Sequence, residues 1–174
     1  IGTPKVDAAA RRLAAVNPEV RIERVAQRVG APELAALVGA ADVVLDCCDN
    51  FATRHAVNAA CVRAGRPLVS GAALRFDGQL AVFDPRDATS PCYHCLFGEG
   101  EELEETRCAT MGVFAPLVGI VGAMQAAEAL KLLAGIGQSL AGRLLLLDAL
   151  AMHWRELKVP RDPACPVCAV RRRS

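Results

Sequence analysis

The run VVLDCCDN, from Val43 to Asn50, decides the fold. It begins with a short, continuous apolar segment, which is typical of a strand buried on both faces of a parallel sheet. Asp46 and Asp49 follow, and open α/β sheets bind their ligands just beyond the carboxyl ends of such strands. A carboxylate there can hold magnesium against a triphosphate. The alternative is that Asp49 or Asn50 only caps the next helix, since both are favoured capping residues.

Helix and strand patterns alternate on both sides of this run. Apolar residues recur at helical spacing near the start of the chain, where Thr3-Pro4 is a start signal and Asn17-Pro18 a stop signal. The predicted elements, in order, are this first helix, a strand over 20–25, a helix over 32–38, the strand over 42–46, a helix over 52–64 and a strand over 67–71. This order predicts an α/β fold.

The second half of the sequence predicts a mixed or antiparallel flank. Asp77-Gly78 lies between two apolar runs and predicts a hairpin turn. A turn-rich, acidic stretch over 85–110 predicts a long loop, and the apolar stretch after it predicts a helix over 112–134, ended by Gly135. Strands are predicted over 143–148 and 152–158. We therefore expect one domain over 1–174, a Rossmann-like open sheet whose parallel part is followed by this flank.

A Gly-rich turn is missing from the start of this pattern. Doubly wound nucleotide-binding sheets begin with a strand, a Gly-rich turn and a helix that together hold the phosphates. This sequence opens directly in a helix. We therefore expect it to be the C-terminal part of a longer protein, with the nucleotide loop upstream of Ile1.

Two Cys-x-x-Cys pairs predict a zinc site. Cys92 and Cys95 lie in PCYHCLF, and Cys165 and Cys168 form CPVC. Two residues between thiols let one turn aim both sulfurs at one ion, and four thiolates leave no open position for water or substrate. The metal is therefore predicted to be structural. The alternative, two unrelated redox or disulfide pairs, is disfavoured because neither pair has a thioredoxin-like βαβ pattern around it.

The composition excludes several classes of protein. Of 174 residues, 53% are hydrophobic and the net charge is +1, which argues against disorder and against nucleic acid or an anionic membrane as partner. The uncharged run from Gly112 to Met124 is shorter than the ~20 residues that span a bilayer, so we interpret it as a core helix. Eight cysteines in an Ala-, Leu- and Val-rich chain indicate a reducing cytoplasm rather than a secreted scaffold.

Taken together, the motifs resemble the ThiF/MoeB/HesA family of adenylyltransferases, the bacterial relatives of ubiquitin-activating enzymes. The resemblance rests, in order, on Pro4-Lys5, LDCCDN at 45–50, TRHAVNAAC at 53–61, CYHCLF at 92–97 and CPVC at 165–168. It implies a homodimeric enzyme that uses ATP and Mg²⁺ to adenylate the C-terminal Gly-Gly carboxylate of a ubiquitin-like sulfur carrier of the ThiS or MoaD type. Such carriers serve thiamine or molybdopterin biosynthesis, and motifs this short do not separate the two.

The resemblance also implies roles for three residues. Lys5 matches a lysine that contacts the ATP phosphates, Asp49 an aspartate that ligates or positions magnesium, and Cys108 a cysteine implicated in sulfur transfer. Each has a simpler alternative: an exposed lysine, a helix cap, and a spectator cysteine in a loop. The remaining cysteines, Cys47, Cys48 and Cys61, are interpreted as apolar packing residues.

Further expectations concern the activity of this segment and its partners. Without the Gly-rich turn, Lys5 and Asp49 alone should hold ATP poorly, so this segment by itself is expected to be inactive. The alternative function is a non-catalytic, zinc-stabilised module that binds a ubiquitin-like partner. An NAD-dependent oxidoreductase is disfavoured because the sequence has no Gly-x-Gly-x-x-Gly. The apolar stretches 74–83 and 114–133 are candidates for a dimer interface or a groove for the carrier's tail, or are ordinary core.

Overall fold

The computed structural model describes residues 2–98 and 112–169. The chain divides into two units, one up to Leu34 and one from Ala35 onward. Helix α2 (Ala31–Ala40), close to the helix predicted over 32–38, contains this boundary. Each unit is described below by itself.

The first unit is built on helix α1 (Lys5–Val16), as the apolar spacing predicts. Its first residue is Lys5, and Pro4 occupies the N-cap position without a side-chain cap, so a helix start with Thr3 as the cap, as the Thr3-Pro4 signal suggests, lies one residue too early. The helix ends where Asn17 donates its backbone N–H to the carbonyl of Leu13 at 2.9 Å.

The strand predicted over 20–25 does not form. The described residues between the two helices of this unit join no ladder, and Val20 and Val25 are exposed. Arg21 and Glu23 pair with each other in solvent. A short apolar alternation becomes a strand only when a neighbouring strand accepts its hydrogen bonds, and no described residue of this unit provides one.

The second unit contains a five-stranded sheet in the order β1-β2-β3-β4-β5. Its strands are β1 (Val44–Asp46), β2 (Leu68–Leu74), β3 (Asp77–Phe83), β4 (Arg143–Asp148) and β5 (His153–Lys158). Strands β1 and β2 are parallel, joined by helix α3 (Phe51–Ala64), and every later pair is antiparallel. The α/β prediction with a mixed flank is therefore confirmed.

The hairpin turn lies earlier than the Asp77-Gly78 dipeptide predicts. Asp77 pairs with Leu74 and Gly78 with Ala73, so both dipeptide residues belong to β3 and the turn falls on 75–76. Arg75 adopts φ 51° there. Gly78 is needed for packing instead, because a Cβ at this position would lie 2.8 Å from Leu117 Cδ1.

Helix α5 (Ala115–Ala134) packs against one face of β2 and β3. Leu117 and Val121 form a cluster with Leu147 of β4, and Gln125 is buried on the same helix. By length and composition alone, this 20-residue helix could also cross a bilayer. The sequence prediction of a core helix rests only on the uncharged run over 112–124, which is shorter than this helix. Its packing on the sheet supports the interpretation as a core helix.

A short helix, α4 (Tyr93–Leu96), interrupts the loop predicted over 85–110. Cys92 is its N-cap and Cys95 lies in its single turn, so the first Cys-x-x-Cys pair is held by one turn of helix. Helix α4 contacts α3, and Tyr93 is 1% exposed. The first cysteine pair is therefore anchored in the core by the aromatic residue between its thiols.

Candidate functional site

The four predicted zinc ligands lie together. The Sγ atoms of Cys92, Cys95, Cys165 and Cys168 are all within 4.8 Å of one another. The separations are 3.9 Å for Cys92 and Cys95, 3.7 Å for Cys92 and Cys165, and 3.6 Å for Cys95 and Cys168. A disulfide needs about 2.05 Å between sulfurs, so these thiols are unpaired.

This spacing fits a tetrahedral zinc ion. Zinc–thiolate bonds are about 2.3 Å long, and a tetrahedron built on that length has edges of about 3.8 Å. The three distances above lie on either side of this value. Burial also fits, since Cys165 is 0% exposed and Cys92 3%. The described residues can thus supply four sulfur ligands around one cation.

The surroundings of the cluster shift the pKa values of its thiols in both directions. Burial acts to raise the pKa of Cys95, but hydrogen bonds from the backbone of Cys92 and Asp162 outweigh it and lower that pKa, whereas the pKa values of Cys92 and Cys168 are raised. Burial raises the pKa of Cys92 well above its ordinary value, although the nearby Asn58 amide lowers it in part. Burial and hydrogen bonds with Cys95 and Cys165 raise the pKa of Cys168 to about 11. Thiolates are the species that bind zinc, so a cation at the centre would counteract the raised pKa values.

Helix α3 supports the cluster through Asn58. Its Oδ1 accepts a hydrogen bond from the backbone N–H of Tyr93 at 2.9 Å, which fixes the first turn of α4. Its Nδ2 is buried without a hydrogen bond of ordinary length, on the side of Cys92. On the other pair, Arg161 donates to the carbonyl of Cys168 at 2.8 Å.

A second polar centre lies at the end of β1. Asp46 is 2% exposed and its side chain forms a buried ion pair with Arg54 of α3, with Nη1 and Oδ2 3.3 Å apart. Ser70 of β2 donates to the same carboxylate oxygen at 2.9 Å and accepts from Arg54 at 3.2 Å. Asp46 is therefore a structural carboxylate, and its charge is already compensated.

Gln125 of α5 completes this centre from the other side of the sheet. Its Nε2 donates to the carbonyls of Asp46 at 2.9 Å and Val69 at 3.2 Å. The space it needs is provided by Gly71, because a Cβ on that residue would lie 2.4 Å from Gln125 Cδ. The ends of β1 and β2 are thus held by side chains from two helices.

Asp49 differs from Asp46 in its exposure. It lies in the loop after β1, exposed to solvent, where it accepts a hydrogen bond from Asn50 Nδ2 at 3.5 Å. Helix α3 is capped by Asn50, whose Oδ1 accepts from the Thr53 N–H at 2.8 Å. Of the two capping alternatives, the structure therefore assigns the cap to Asn50 and leaves the Asp49 carboxylate open at the strand end.

The other predicted residues are distributed as follows. Lys5 is exposed at the first position of α1, in the first unit. Cys108 lies outside the described residues, so its predicted role stays a prediction. Cys61 is buried in α3, as the packing interpretation expects, and burial raises its pKa to about 12. Cys48 is half-buried, with its pKa likewise raised to about 12 by burial.

Cys47 contradicts the packing interpretation. It is exposed, and its Sγ donates to Gln125 Oε1 at 3.5 Å. Cys47 lies in the loop directly after strand β1, which ends at Asp46. Burial of part of the side chain still raises its pKa.

The sequence predicts no individual role for four buried polar side chains of these two centres. Arg54, Asn58, Ser70 and Gln125 are all at most 7% exposed. The signal for Arg54 and Asn58 was their spacing, because two polar residues four positions apart share a helix face that otherwise buries Val57 and Cys61. No local pattern marks Ser70 or Gln125.

Comparison with known proteins identifies relatives of this chain. The sequence pattern of the ThiF family matches residues 1–167. The molybdopterin-synthase adenylyltransferase of Escherichia coli is 45% identical over 171 residues, which are 97% of this chain and 67% of that protein. The sulfur carrier protein ThiS adenylyltransferase of the same organism is 44% identical over 168 residues, or 97% of this chain and 66% of that protein.

The fold has counterparts among solved structures. Escherichia coli MccB in complex with AMPCPP and MccA superposes with a TM-score of 0.80 at 22% identity, over 97% of this chain and 52% of that one. At this identity the likeness concerns the fold alone. The chain spans about two thirds of the length of the two relatives and about half of that structure.

Proposed function

Because this chain belongs to the ThiF family, we propose that the protein uses ATP and Mg²⁺ to adenylate the C-terminal Gly-Gly carboxylate of a ubiquitin-like sulfur carrier. A carboxylate oxygen of the carrier bonds to the α-phosphorus, the bond from that phosphorus to the β-phosphate oxygen breaks, and pyrophosphate leaves. The protein neutralises the charge that moves onto pyrophosphate and orients the two substrates. The resulting acyl adenylate is the activated form for sulfur transfer in thiamine or molybdopterin biosynthesis.

The observation that carries the proposal is the open carboxylate of Asp49. It follows the carboxyl end of a parallel strand and precedes the N-terminus of α3, the place where open α/β sheets bind ligands. The neighbouring carboxylate of Asp46 is buried and paired, so Asp49 is the one available to a cation. Carboxylate oxygens and phosphate oxygens together are the usual ligands of Mg²⁺.

Lys5 is the second proposed contact to the nucleotide. Its ammonium group is exposed at the start of α1, where a phosphate would also meet the positive end of the helix dipole. The proposal assigns it to charge neutralisation, with no change in its covalent state. A substitution of Lys5 by Met should therefore weaken ATP binding, with Lys158→Met on the exposed strand β5 as the matched control.

The cysteine cluster is proposed to bind structural Zn²⁺. Cys92, Cys95, Cys165 and Cys168 would all act as thiolate ligands, which leaves no position for substrate, and the ion would join the end of the described chain to helix α4. Such a site requires reduced thiols, and we therefore place the protein in the cytoplasm.

ATP–pyrophosphate exchange by the whole protein tests the function. Exchange should depend on Mg²⁺ and on a carrier, and parallel assays with a ThiS-type and a MoaD-type carrier identify the pathway. Asp49→Asn should lower the exchange rate by on the order of a hundredfold or more, the usual cost of removing one transition-state charge stabiliser. Asp42→Asn is the matched control, because Asp42 is 84% exposed in its side chain and precedes β1 instead of following it.

Two results would contradict the proposal. Exchange that Asp49→Asn leaves at the wild-type rate would remove the magnesium role. Carrier binding in calorimetry without any exchange would favour the alternative, a zinc-stabilised module that binds a ubiquitin-like partner. Titration of Mg-ATP into the present chain alone tests the expectation that this segment binds nucleotide weakly.

Sulfur transfer is the proposed role of Cys108. Cys108→Ser should leave pyrophosphate exchange intact but abolish thiocarboxylate on the carrier, as measured by mass spectrometry with a sulfur donor present. Cys47→Ser is the control for an exposed thiol at the site. Normal thiocarboxylate formation by Cys108→Ser would make that cysteine a spectator.

A second copy of the chain is the proposed partner of helix α5. Its solvent face carries Val118, Leu130 and Leu133, which are 48%, 64% and 55% exposed. The face between them is made of small apolar residues, a composition suited to close packing against another apolar face. Sedimentation of the whole protein should show a dimer that Leu130→Glu weakens and Arg63→Glu, on the exposed side of α3, leaves intact.

A further inference from the structure

We propose that Arg54 is a positioning residue that sets the geometry of the loop carrying Asp49. The inference rests on the proposed function, because it assigns Arg54 to the same magnesium site. The guanidinium group does not reach solvent as a substrate-binding arginine would, since its side chain is 8% exposed. It acts on the loop through the backbone.

Arg54 is held in one orientation by charge and hydrogen bonding. Nη1 bonds to Asp46 Oδ2 at 3.3 Å and to Ser70 Oγ at 3.2 Å, and Ser70 in turn donates to Asp46. A buried arginine is stable only with its charge paired and its donors used. Both conditions are met here by residues of β1 and β2, so the position of the guanidinium group is determined by the sheet.

The second amino group of Arg54 reaches the loop. Nη2 donates to the carbonyl of Cys48 and, at 3.2 Å, to the carbonyl of Gly71. The N–H of Cys48 donates in turn to Asp46 Oδ1 at 2.9 Å. Both polar groups of the residue directly before Asp49 are therefore bound by the same ion pair, which fixes the backbone direction at which the chain enters Asp49.

This arrangement explains how Asp49 can be oriented although its exposed carboxylate accepts a long hydrogen bond, 3.5 Å from Asn50 Nδ2. A metal-binding carboxylate has to be held close to its working geometry, and ligands are usually oriented by hydrogen bonds from other residues. Asp49 is exposed, and the ion pair of Asp46 and Arg54 orients its backbone instead. The planar, forked guanidinium group is suited to this because it reaches carboxylate and carbonyl acceptors at the same time.

A lysine at position 54 would keep the positive charge but not the planar, two-pronged arrangement of donors that the guanidinium group has. Its single ammonium group could pair with Asp46 but could not also bind Cys48 and Gly71 in fixed directions. In the whole protein, Arg54→Lys should raise the KM for Mg-ATP in pyrophosphate exchange by about tenfold, since 10- to 100-fold is the usual effect of losing an outer-shell partner. Amide exchange at Cys48 should accelerate at least as much. Arg63→Lys, exposed on the same helix, is the matched control.

General destabilisation is separated from positioning by two further variants. Val121→Ala weakens the packing of α5 and should leave both the KM for Mg-ATP and the Cys48 amide unchanged. Should Arg54→Lys fail to fold, the double variant Asp46→Asn with Arg54→Gln removes both buried charges and still lacks the fork. It should show the same raised KM and loss of Cys48 protection.

The outcomes distinguish this inference from the proposed function. An unchanged exchange rate in Asp49→Asn overturns the function itself. The positioning role is overturned, and the function kept, by a combination of two results. The exchange rate falls severely in Asp49→Asn, while Arg54→Lys keeps the wild-type KM for Mg-ATP and the wild-type protection of the Cys48 amide. Loss of Cys48 protection in Val121→Ala as well would reduce Arg54 to one contributor to overall stability and would also overturn the inference.

Discussion

The cysteine cluster and the loop after β1 are both supported by helix α3, but by contacts of different kinds. In the cluster, the proposed ligands themselves are buried, and Asn58 fixes the turn that carries two of them. In the loop, the proposed ligand Asp49 is exposed, and Arg54, one helical turn before Asn58, holds the backbone that precedes it. A buried site can be held together by the packing of its own ligands, whereas an exposed ligand depends on buried residues that fix its backbone.

Removal of one cysteine should have the largest effect. Cys165→Ser removes a fully buried ligand, and the zinc content should fall from about one ion per chain to near zero. A structural zinc site contributes folding free energy, so a loss of about 5 kcal/mol would lower Tm by about 10–20 °C. Metal analysis and thermal unfolding measure the two effects.

Cys47→Ser is the control for the cysteine variant. This cysteine is exposed and lies outside the cluster, so its substitution should keep the zinc and change stability by no more than about 0.5 kcal/mol. One zinc ion per chain and an unchanged Tm in Cys165→Ser would mean that the cluster is not a metal site.

Breaking the buried ion pair should have the next largest effect. Asp46→Ala leaves the Arg54 charge buried without a partner, which costs about 3–5 kcal/mol. Glu156→Ala breaks an exposed pair with Arg143 and should cost at most about 1 kcal/mol. Urea unfolding measures both. The zinc content of Asp46→Ala should stay normal, and zinc loss in that variant would mean that the two regions are not separable.

The comparison also explains what the sequence could predict. The cysteine ligands form a local pattern because their spacing is set by one turn of chain, and Asp49 follows from a strand that ends in acidic residues. The support of Asp49 is not local, since Arg54, Ser70 and Gln125 meet only after β1, β2 and α5 have packed. The polar spacing in α3 marks Arg54 as a buried helix residue, but no spacing in the sequence indicates which partners it meets.

The fold shows the same division between local and tertiary signals. Helices α1, α3 and α5 and strands β2 to β5 appear near their predicted places, because apolar spacing is a property of each segment. The strand over 20–25 failed because pairing depends on a neighbour, and the hairpin turn shifted because the packing of Leu117 requires Gly78 inside β3. Both errors concern tertiary contacts, which the first segment lacks and which Gly78 makes, and neither is encoded in a local pattern.

A methyl group at Gly71 should disturb the contacts of Gln125 near the loop after β1 and leave the cysteine cluster intact. Gly71→Ala places a Cβ 2.4 Å from Gln125 Cδ, and overpacking of this kind costs about 1–3 kcal/mol. Combination with Gln125→Ala should recover at least about 1 kcal/mol relative to the sum of the single variants, because the two residues are in contact. A double-mutant cycle by urea unfolding measures this coupling.

Gly39→Ala is a control that should have the opposite effect on stability. No atom lies within 4 Å of a Cβ at this position of α2, so alanine should stabilise the protein by about 0.4–1 kcal/mol. Purely additive effects of Gly71→Ala and Gln125→Ala would show that the glycine does not make room for the glutamine.

The smallest expected effect separates the helix cap from the guanidinium group as the support of Asp49. Asn50→Ala removes the hydrogen bond from the Thr53 N–H and the 3.5 Å hydrogen bond that Asn50 Nδ2 donates to Asp49, and it should cost about 1 kcal/mol, while Asn50→Gly should cost only a few tenths. The Cys48 backbone remains bound by Asp46 and Arg54 in both variants, so the KM for Mg-ATP should stay close to the wild-type value. A rise in KM as large as that of Arg54→Lys would mean that the start of α3 positions Asp49, and that the open site depends on a local motif after all.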